Sequence, residues 1–383
     1  MATISTGGAL ATDYFLLRDQ FTDEEWERFL ATRKFVDEEV LPTINDYWEA
    51  AELPWPLFRR LAELGLFEPM NPLAAGLVHM ELNRGDGSLG TFYGVQLGLA
   101  MKPIQLFGSD EQKERWLPRM ARLDAIGAFA LTEPDHGSDS VALETTATLT
   151  ADGWKINGHK RWIGNASISD VTVVWARDTA DGQVKGFLVE TDQPGYQATT
   201  MTGKGAARAI WQAEIELHDA RGEHLPGTSS FKDAVRVLVG TRGTCAWAAL
   251  GHAVASYDAA LTYASNRVQF GKPLTSFQLV QDRLVKMLAD VTGMQLYCMQ
   301  LARLETAGQM SDTIAGLAKL NNTRTARRVI AEARDLLGGN GVLLEHHVIR
   351  HMTDIEVIHT YEGTETMQAL IVGRDITGVG AFK

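Results

Sequence analysis

The chain has 383 residues, of which 45% are hydrophobic, enough for two or three domains and a sizeable core. Its 36 Lys and Arg against 48 Asp and Glu give a formal net charge of -12, the wrong sign for binding nucleic acid by neutralising phosphates. The two cysteines, Cys245 and Cys298, lack CxxC spacing and are expected to be buried apolar residues of a reducing compartment; no metal site is expected. No basic-then-apolar leader opens the sequence and no stretch approaches the ~20 apolar residues of a membrane helix. The ending VGAFK is not a peroxisomal address, so a cytoplasmic protein without membrane insertion is expected.

From Thr22 to about Leu123 the pattern is helical. In DEEWERFLATRKFVDEEVLPTI, Trp26, Phe29, Leu30 and Phe35 fall near one face, and Asp23 and Glu24 sit in the first turn. PWPLFRRLAELGLF, LGTFYGVQLGLAMKPIQLFG and SDEQKERWLPRMARL predict further helices. Near Gly127 the period changes. Thr146 and Thr148 alternate with Ala147 and Leu149, and Asp152-Gly153 supplies a hairpin turn. GWKINGHKRWI, SDVTVVWAR, GFLVET and AEIELHD are short β-branched or aromatic runs bounded by turn residues. LPGTSS marks the exit. After Phe231 helical spacing returns, with Phe277, Val280, Leu284, Met287, Leu288, Val291, Met294, Cys298 and Leu301 on one stripe. Segments 233–265, 277–307 and 313–336 predict three antiparallel helices, with a fourth after Thr364. The expected class is α+β: a helical domain over 1–126, a β domain over 127–228 and a four-helix bundle over 229–383. This order is unlike a doubly wound sheet. The Gly-rich LLGGNGV at 336–342 follows a helix, so a Rossmann route to dinucleotide binding is not expected.

Five stretches carry possible chemistry, and each has a bland alternative. In ALTEPDHGSDS, Thr132 and Ser138 can face a polar ligand beside Gly137; otherwise it is a strand-to-loop junction with Asx and Ser turns. In KRWIGNAS, Trp162 either stacks on a planar group or joins the core. In NRVQFGKPLTSFQ, Gly271 and Pro273 hold Arg267, Phe270 and Gln278 around an exposed turn, where an arginine fork suits a pyrophosphate; a solvated helix end competes equally. DLLGGNGV reads as a helix C-cap in αL geometry whose amides can also contact a ligand. In HTYEGTETMQ, Glu362 is either a functional carboxylate or one favoured by a helix N-terminus.

Taken in order and at these separations, the five stretches resemble the FAD-dependent acyl-CoA dehydrogenases from about Asp19 onward. The likeness is strongest to the glutaryl-CoA dehydrogenase group and the plant-type short-chain acyl-CoA oxidases, which share the INGHKRWIGN-like hairpin and the closing GRDITGVGAF. The resemblance implies an N-terminal helical domain, a middle β-barrel-like domain and a C-terminal four-helix bundle, with FAD between the last two. It places Phe129, Leu131 and Thr132 along the isoalloxazine ring, Trp162 and Gly164 beside it, and Ser138 near the pyrophosphate or the substrate's pantetheine arm. Arg267, Phe270, Gln278, Asp335 and Gly339 would reach the FAD of a neighbouring subunit in a homotetramer, a dimer of dimers, and Thr364 would also bind cofactor. Glu362 matches the catalytic base, with Tyr361 and Gly363 against the substrate and Arg242 near the base. The implied reaction removes a proton from Cα and a hydride from Cβ of an acyl-CoA to give the trans-2-enoyl-CoA, and electrons pass to electron-transfer flavoprotein. Reoxidation by oxygen is the alternative, and a non-catalytic scaffold a distant third.

Three departures from the family bear on substrate and acceptor. Glutaryl-CoA dehydrogenases carry an arginine for the distal carboxylate where this sequence has Gly90; without a cation a buried carboxylate is costly, which argues for a short, uncharged acyl chain. The residue beside flavin N5, Thr in most dehydrogenases of the family, is Gly164 here, as in the plant-type oxidases. The segment EPMNPLAAGLVHMELNRGD is about ten residues, or roughly three helical turns, shorter than its counterparts.

Overall fold

The protein is described here by a computed structural model covering residues 13–381. Helix α1 (Asp23–Phe35) begins at a capping box in which Glu25 N donates to Thr22 Oγ1 at 3.2 Å and Thr22 N to Glu25 Oε2 at 2.8 Å. Its inward face is Phe29, Thr32 and Phe35, continued by Val36 and Val40 in a π-helical turn. Leu30, expected on that face, is exposed, because it lies about 100° round the helix from Phe29. There follow α2 (Ile44–Ala50), α3 (Trp55–Glu63), α4 (Pro72–Gly85), α5 (Gly87–Gly94) with a π-helical extension Val95–Met101, α6 (Lys102–Phe107) and α7 (Asp110–Ala121). Only the connection 64–71 separates α3 from α4, and Asn71 caps α4 by accepting from Ala74 N at 2.9 Å.

Seven strands come next: β1 (Gly127–Ala130), β2 (Thr146–Thr150), β3 (Gly153–Gly164), β4 (Val171–Asp178), β5 (Val184–Glu190), β6 (Tyr196–Thr200) and β7 (Gln212–His224). Pairings run β4-β2-β3-β7-β5 and back from β5 to β4, so the sheet closes on itself and leaves few free edges; β1 adds to β4 and β6 to β7. The alternation read from β2 fails at one residue. Ala147 is buried as expected, but Leu149 is 63% exposed, since β2 pairs with β4 only through Thr146 and Ala147 and the hairpin then projects past the barrel.

The chain returns to helices with α8 (Phe231–Asn266), a small hairpin of β8 (Val268–Gln269) and β9 (Lys272–Pro273), α9 (Gln278–Thr306), α10 (Asp312–Leu336), α11 (Val348–Thr360) and α12 (Glu365–Thr377). Helix α11 was not foreseen from the sequence. Its Val348, Ile355 and Ile358 are buried, but Arg350, His351 and Asp354 share the interior and interrupt the apolar pattern. Both cysteines are buried, and Cys298 Sγ accepts from Asn322 Nδ2 at 3.3 Å.

Those polar residues of α11 tie the layers together. Fully buried Arg350 pairs with Asp86, whose other oxygen caps α5 through Ser88 N at 2.7 Å. Asp354 Oδ1 accepts from Ala207 N at 2.6 Å, in the connection between β6 and β7, and from Trp48 Nε1 at 3.4 Å. Among the described residues no helix is long and apolar enough to cross a membrane.

Candidate active site

Between α11 and α12 the chain passes through Tyr361, Glu362 and Gly363. Glu362 has φ +56° and Gly363 φ +85°, two successive left-handed residues. For glutamate that conformation costs about 1–2 kcal/mol, so something must hold it. Three side chains do. Lys319 Nζ, from α10, donates to Tyr361 O at 2.6 Å and to Gly363 O at 2.5 Å. Gln368 Nε2, from the first turn of α12, donates to Glu362 O and Gly363 O at 3.0 Å each. Arg242 Nε, from α8, reaches Glu362 O at 3.2 Å, while its Nη1 pairs with Asp312. The resemblance puts Arg242 near the base, and the geometry puts its guanidinium on the backbone that carries the base. The room that Gly363 leaves is likewise filled from within, because a Cβ there would lie 2.5 Å from Gln368 Nε2.

The Glu362 carboxyl points away from this clamp. Its Oε2 is 2.9 Å from Thr241 Oγ1, and burial pushes its pKa above the ordinary carboxylate range, with Thr241, Arg242 and Lys319 pulling it part of the way back. The backbone N–H of Glu362 meets no acceptor among the described residues. Tyr361 is partly buried beside it.

Facing the carboxyl is the helix formed by α5 and its π-helical extension. Most of it is buried, but Thr91, Gly94, Leu97, Gly98 and Leu99 are partly open, the first four a stripe at i, i+3, i+6 and i+7 down one side. A Cβ on Gly98 would sit 3.1 Å from Thr241 Cγ2, so this stripe runs up to the residue whose hydroxyl meets the Glu362 carboxyl. Gly90 is off the stripe. It is fully buried beneath Asn83, whose amide atoms lie 2.3–2.4 Å from where its Cβ would be. Position 90 holds no cation, and no side chain fits there while Asn83 keeps its place.

The β domain closes the other side. Gly164, at the end of β3, would place a Cβ 3.2 Å from Val95 Cγ2. Trp162, two residues earlier, has φ +65° and leaves 54% of its surface exposed. Phe129 and Leu131 are core residues at 8% and 6% exposure, whereas the partly buried Thr132 has no hydrogen bond to its hydroxyl among the described residues. Ser138 is exposed in the loop that follows. That loop is anchored by Glu133, which sequence reasoning passed over. Glu133 accepts from Glu144 N at 2.6 Å, Thr145 N at 2.9 Å and Lys160 Nζ at 3.0 Å. Burial works against its charge, yet Lys160 and these donors bring the carboxyl down to about 2.

The remaining residues singled out from the sequence lie elsewhere. Arg267 caps the far end of α8, roughly 25 residues and about 38 Å along the helix from Thr241. Phe270 stands 92% exposed at φ +54° in the β8–β9 hairpin, and Gln278 opens α9. Arg267 shares a cavity of about 580 Å³ with Tyr263 and Leu337, next to the Gly-rich turn. There Asp335 pairs with Arg283 at 2.9 Å and Gly339 is exposed. Within one chain these residues cannot join Glu362 in a single site. Thr364 is engaged as the N-cap of α12, accepting from Met367 N at 3.3 Å.

Family models for the N-terminal, middle and C-terminal domains of acyl-CoA dehydrogenases match residues 22–124, 128–220 and 231–377. The chain belongs to the acyl-CoA dehydrogenase family. A glutaryl-CoA dehydrogenase from Mycobacterium smegmatis, solved in complex with FADH2, superimposes with a TM-score of 0.94 at 35% identity, covering 96% of this chain and 98% of the other. A further glutaryl-CoA dehydrogenase structure from that organism gives 0.92 at 40% identity over 96% and 98%. The mitochondrial short-chain specific acyl-CoA dehydrogenase of Bos taurus is 34% identical over 360 residues, 89% of this chain and 87% of that one.

An acyl-CoA dehydrogenase uses FAD, and this chain has the surfaces for it. An open indole face on Trp162 and a free hydroxyl on Thr132 suit the flat, polar-edged flavin ring. Of the residues that shape the site, Thr241, Lys319 and Gln368 were not singled out from the sequence. Lys319 did leave a signal: it lies among Ala315, Ala318, Asn322 and Ala326 on the buried face of α10, where an unpartnered lysine is not stable.

Proposed function

We propose that this chain catalyses α,β-dehydrogenation of short, uncharged acyl-CoA thioesters, with Glu362 as the base. The observation that carries the reading is a carboxyl of raised pKa that meets Thr241 and no cation, beside the partly open stripe of α5, with its own backbone N–H unpartnered among the described residues. A carboxylate made more basic by burial is suited to taking a proton from the carbon next to a thioester. The free N–H of Glu362 would donate to the thioester oxygen as charge develops there, a fixed dipole needing no reorganisation. Bound FAD supplies the two-electron acceptor for the hydride leaving Cβ. Thr132 and Trp162 would hold its ring, Gly164 and Val95 would border it, and Ser138 would contact its pyrophosphate or the pantetheine arm. Arg267, Phe270, Gln278, Asp335 and Gly339 would serve the cofactor of a neighbouring subunit; their distance from Glu362 and the outward-held Phe270 support a homotetramer built as a dimer of dimers. Electron-transfer flavoprotein is the proposed electron acceptor.

Likeness to glutaryl-CoA dehydrogenases does not carry glutaryl-CoA with it. Position 90, where the resemblance puts the arginine for a distal carboxylate, is a buried glycine packed under Asn83, so a buried carboxylate would lack its cation and the proposed substrates are uncharged. Gly164 keeps oxygen as a second acceptor, since it presents no side-chain hydroxyl at the flavin edge. Anaerobic mixing with thioesters from propionyl to octanoyl, with isobutyryl and glutaryl included, tests the reading. Short uncharged chains are expected to bleach the flavin and glutaryl-CoA to fail. Glu362→Gln is expected to retain flavin and bleach with none. Bleaching by glutaryl-CoA alone, or by the Gln variant, would refute it. Admitting air afterwards separates the acceptors.

A further inference from the structure

The open stripe leads away from Glu362 toward a histidine that the reaction does not use. His79, on α4, is 6% exposed, and burial pushes its imidazole down to about 4, so it is neutral near pH 7. Its ring lies 4.8 Å from that of Tyr93, whose hydroxyl already donates to Leu66 O at 3.0 Å. No hydrogen bond reaches either nitrogen of the His79 ring among the described residues. Its nitrogens are not sealed into the packing as the unpartnered Nε2 atoms of His252 and His351 are. A Cβ on Gly94 would find one neighbour there, His79 Cε1 at 3.6 Å. Gly94 is one helical turn, about 6 Å, from Gly98, which faces Thr241, so the ring edge lies along the open stripe at about that distance beyond the end nearest the base.

A polar ring edge that is reachable and has no protein partner can exchange water for a group of a bound ligand. Asn83, one turn further along α4, does not supply that partner; its amide donates to His79's own backbone oxygen at 2.8 Å. We propose that His79 is a specificity-determining residue, and that the preferred substrate is an acyl-CoA bearing an uncharged polar group, a hydroxyl, carbonyl or amide, roughly four bonds beyond Cα. This rests on the dehydrogenase reading above. A neutral imidazole offers one donor and one acceptor, which serves any of these groups. A terminal carboxylate would have to bring a proton into a dry site.

The test compares 6-hydroxyhexanoyl-CoA with heptanoyl-CoA, which replaces the hydroxyl by methyl. In the wild type kcat/KM is expected to favour the hydroxy thioester by about 10-fold to 100-fold. Binding measured in the non-reactive Glu362→Gln variant, from the change in flavin spectrum, should show a preference in the same direction. His79→Gln is expected to keep the preference and His79→Leu to reverse it. Gly94→Ala leaves His79 in place, introduces a methyl at ordinary contact distance from its ring, and should reduce the preference even if His79→Leu folds poorly. Equal or better use of heptanoyl-CoA by the wild type, or an unchanged preference in both His79→Leu and Gly94→Ala, would overturn the proposal. In either case bleaching by either thioester would leave the dehydrogenase reading standing; bleaching by none across the whole panel would remove both.

Discussion

Thr241→Val isolates the one hydrogen bond made to the side chain of the base among the described residues. Val is nearly isosteric, and the methyl carbon of Thr241 already packs near Gly98, so the wall of the channel is kept. The hydroxyl has a single proton and two acceptors, Leu238 O at 3.1 Å and Glu362 Oε2 at 2.9 Å. When Glu362 is protonated the hydroxyl can serve Leu238; when it is ionised the hydroxyl turns to the carboxylate. A hydrogen bond to a charged group contributes about 1.5–3 kcal/mol, and part of that is offset by the contact with Leu238 given up. The net is therefore about 1.4 kcal/mol, or about one pH unit.

The sign follows from which form is favoured. The bond favours the charged base, so its loss raises a pKa that burial has already raised. The acid limb of flavin reduction by butyryl-CoA, followed by anaerobic stopped flow, should move up by about one pH unit in Thr241→Val. The alkaline plateau should stay within about threefold, because the base in its ionised form is at least as basic. Thr244→Val on the same helix serves as control; its hydroxyl donates to Thr241 O at 2.7 Å and leaves Glu362 untouched. An acid limb that stays in place in Thr241→Val, or moves equally in both variants, would refute the assignment of Glu362 as the group that titrates in catalysis.

Lys319→Met strands the carbonyl of Tyr361 and leaves that of Gly363 to Gln368 alone; a loss of about 1–3 kcal/mol in urea unfolding and a fall in kcat of more than about tenfold are expected, with flavin content unchanged. Gly363→Ala meets both φ +85° and Gln368 Nε2; it should cost about 1–3 kcal/mol, and removing the clash in Gly363→Ala/Gln368→Ala should not restore activity, since the Gln368 contacts to the loop go with it. Burial, helped by Asp86, pushes the Asp354 carboxyl up from 3.8 to about 7, so the folded protein holds a proton that the unfolded chain has released. Stability from this group therefore falls as pH rises between those values, and Tm should decline from pH 5 to pH 7 in the wild type and less so in Asp354→Asn.

The order of elements was legible because the hydrophobic period changes twice, near Gly127 and near Phe231, and each change coincides with turn residues. Individual faces were less so. Leu30 and Leu149 fit an apolar pattern locally, yet Leu30 lies about 100° round its helix from Phe29 and Leu149 lies beyond the last pairing of β2 with β4, so both are exposed. Helix α11 was hidden for another reason: polar side chains interrupt its inward face, and the distant partners Asp86, Asn45 and Ala207 make the burial of Arg350 and Asp354 possible. The same holds at the site. Glu362 could be picked out by its Tyr and Gly neighbours, but Thr241 and Lys319 come from helices far along the chain, and no local pattern marks them as meeting it. Arg242 was noticed from resemblance, and its role at the Glu362 carbonyl needed coordinates.

That arrangement suggests why the base is held by its backbone. A carboxylate fixed directly by lysine or arginine would be well placed and weakly basic, because each cation within a few ångströms lowers its pKa. Here Lys319, Gln368 and Arg242 direct their donors at three successive carbonyls, and the carboxyl itself accepts a single hydroxyl. Position is thereby set by groups that act on the charge only at a distance, and burial remains the larger influence on basicity. The left-handed turn at Glu362 and Gly363 is what makes the separation possible, since it directs the carbonyls to the donors while the carboxyl and the free N–H of Glu362 remain available to the channel. A residue that could not adopt φ near +60° would have to choose between being anchored and being basic.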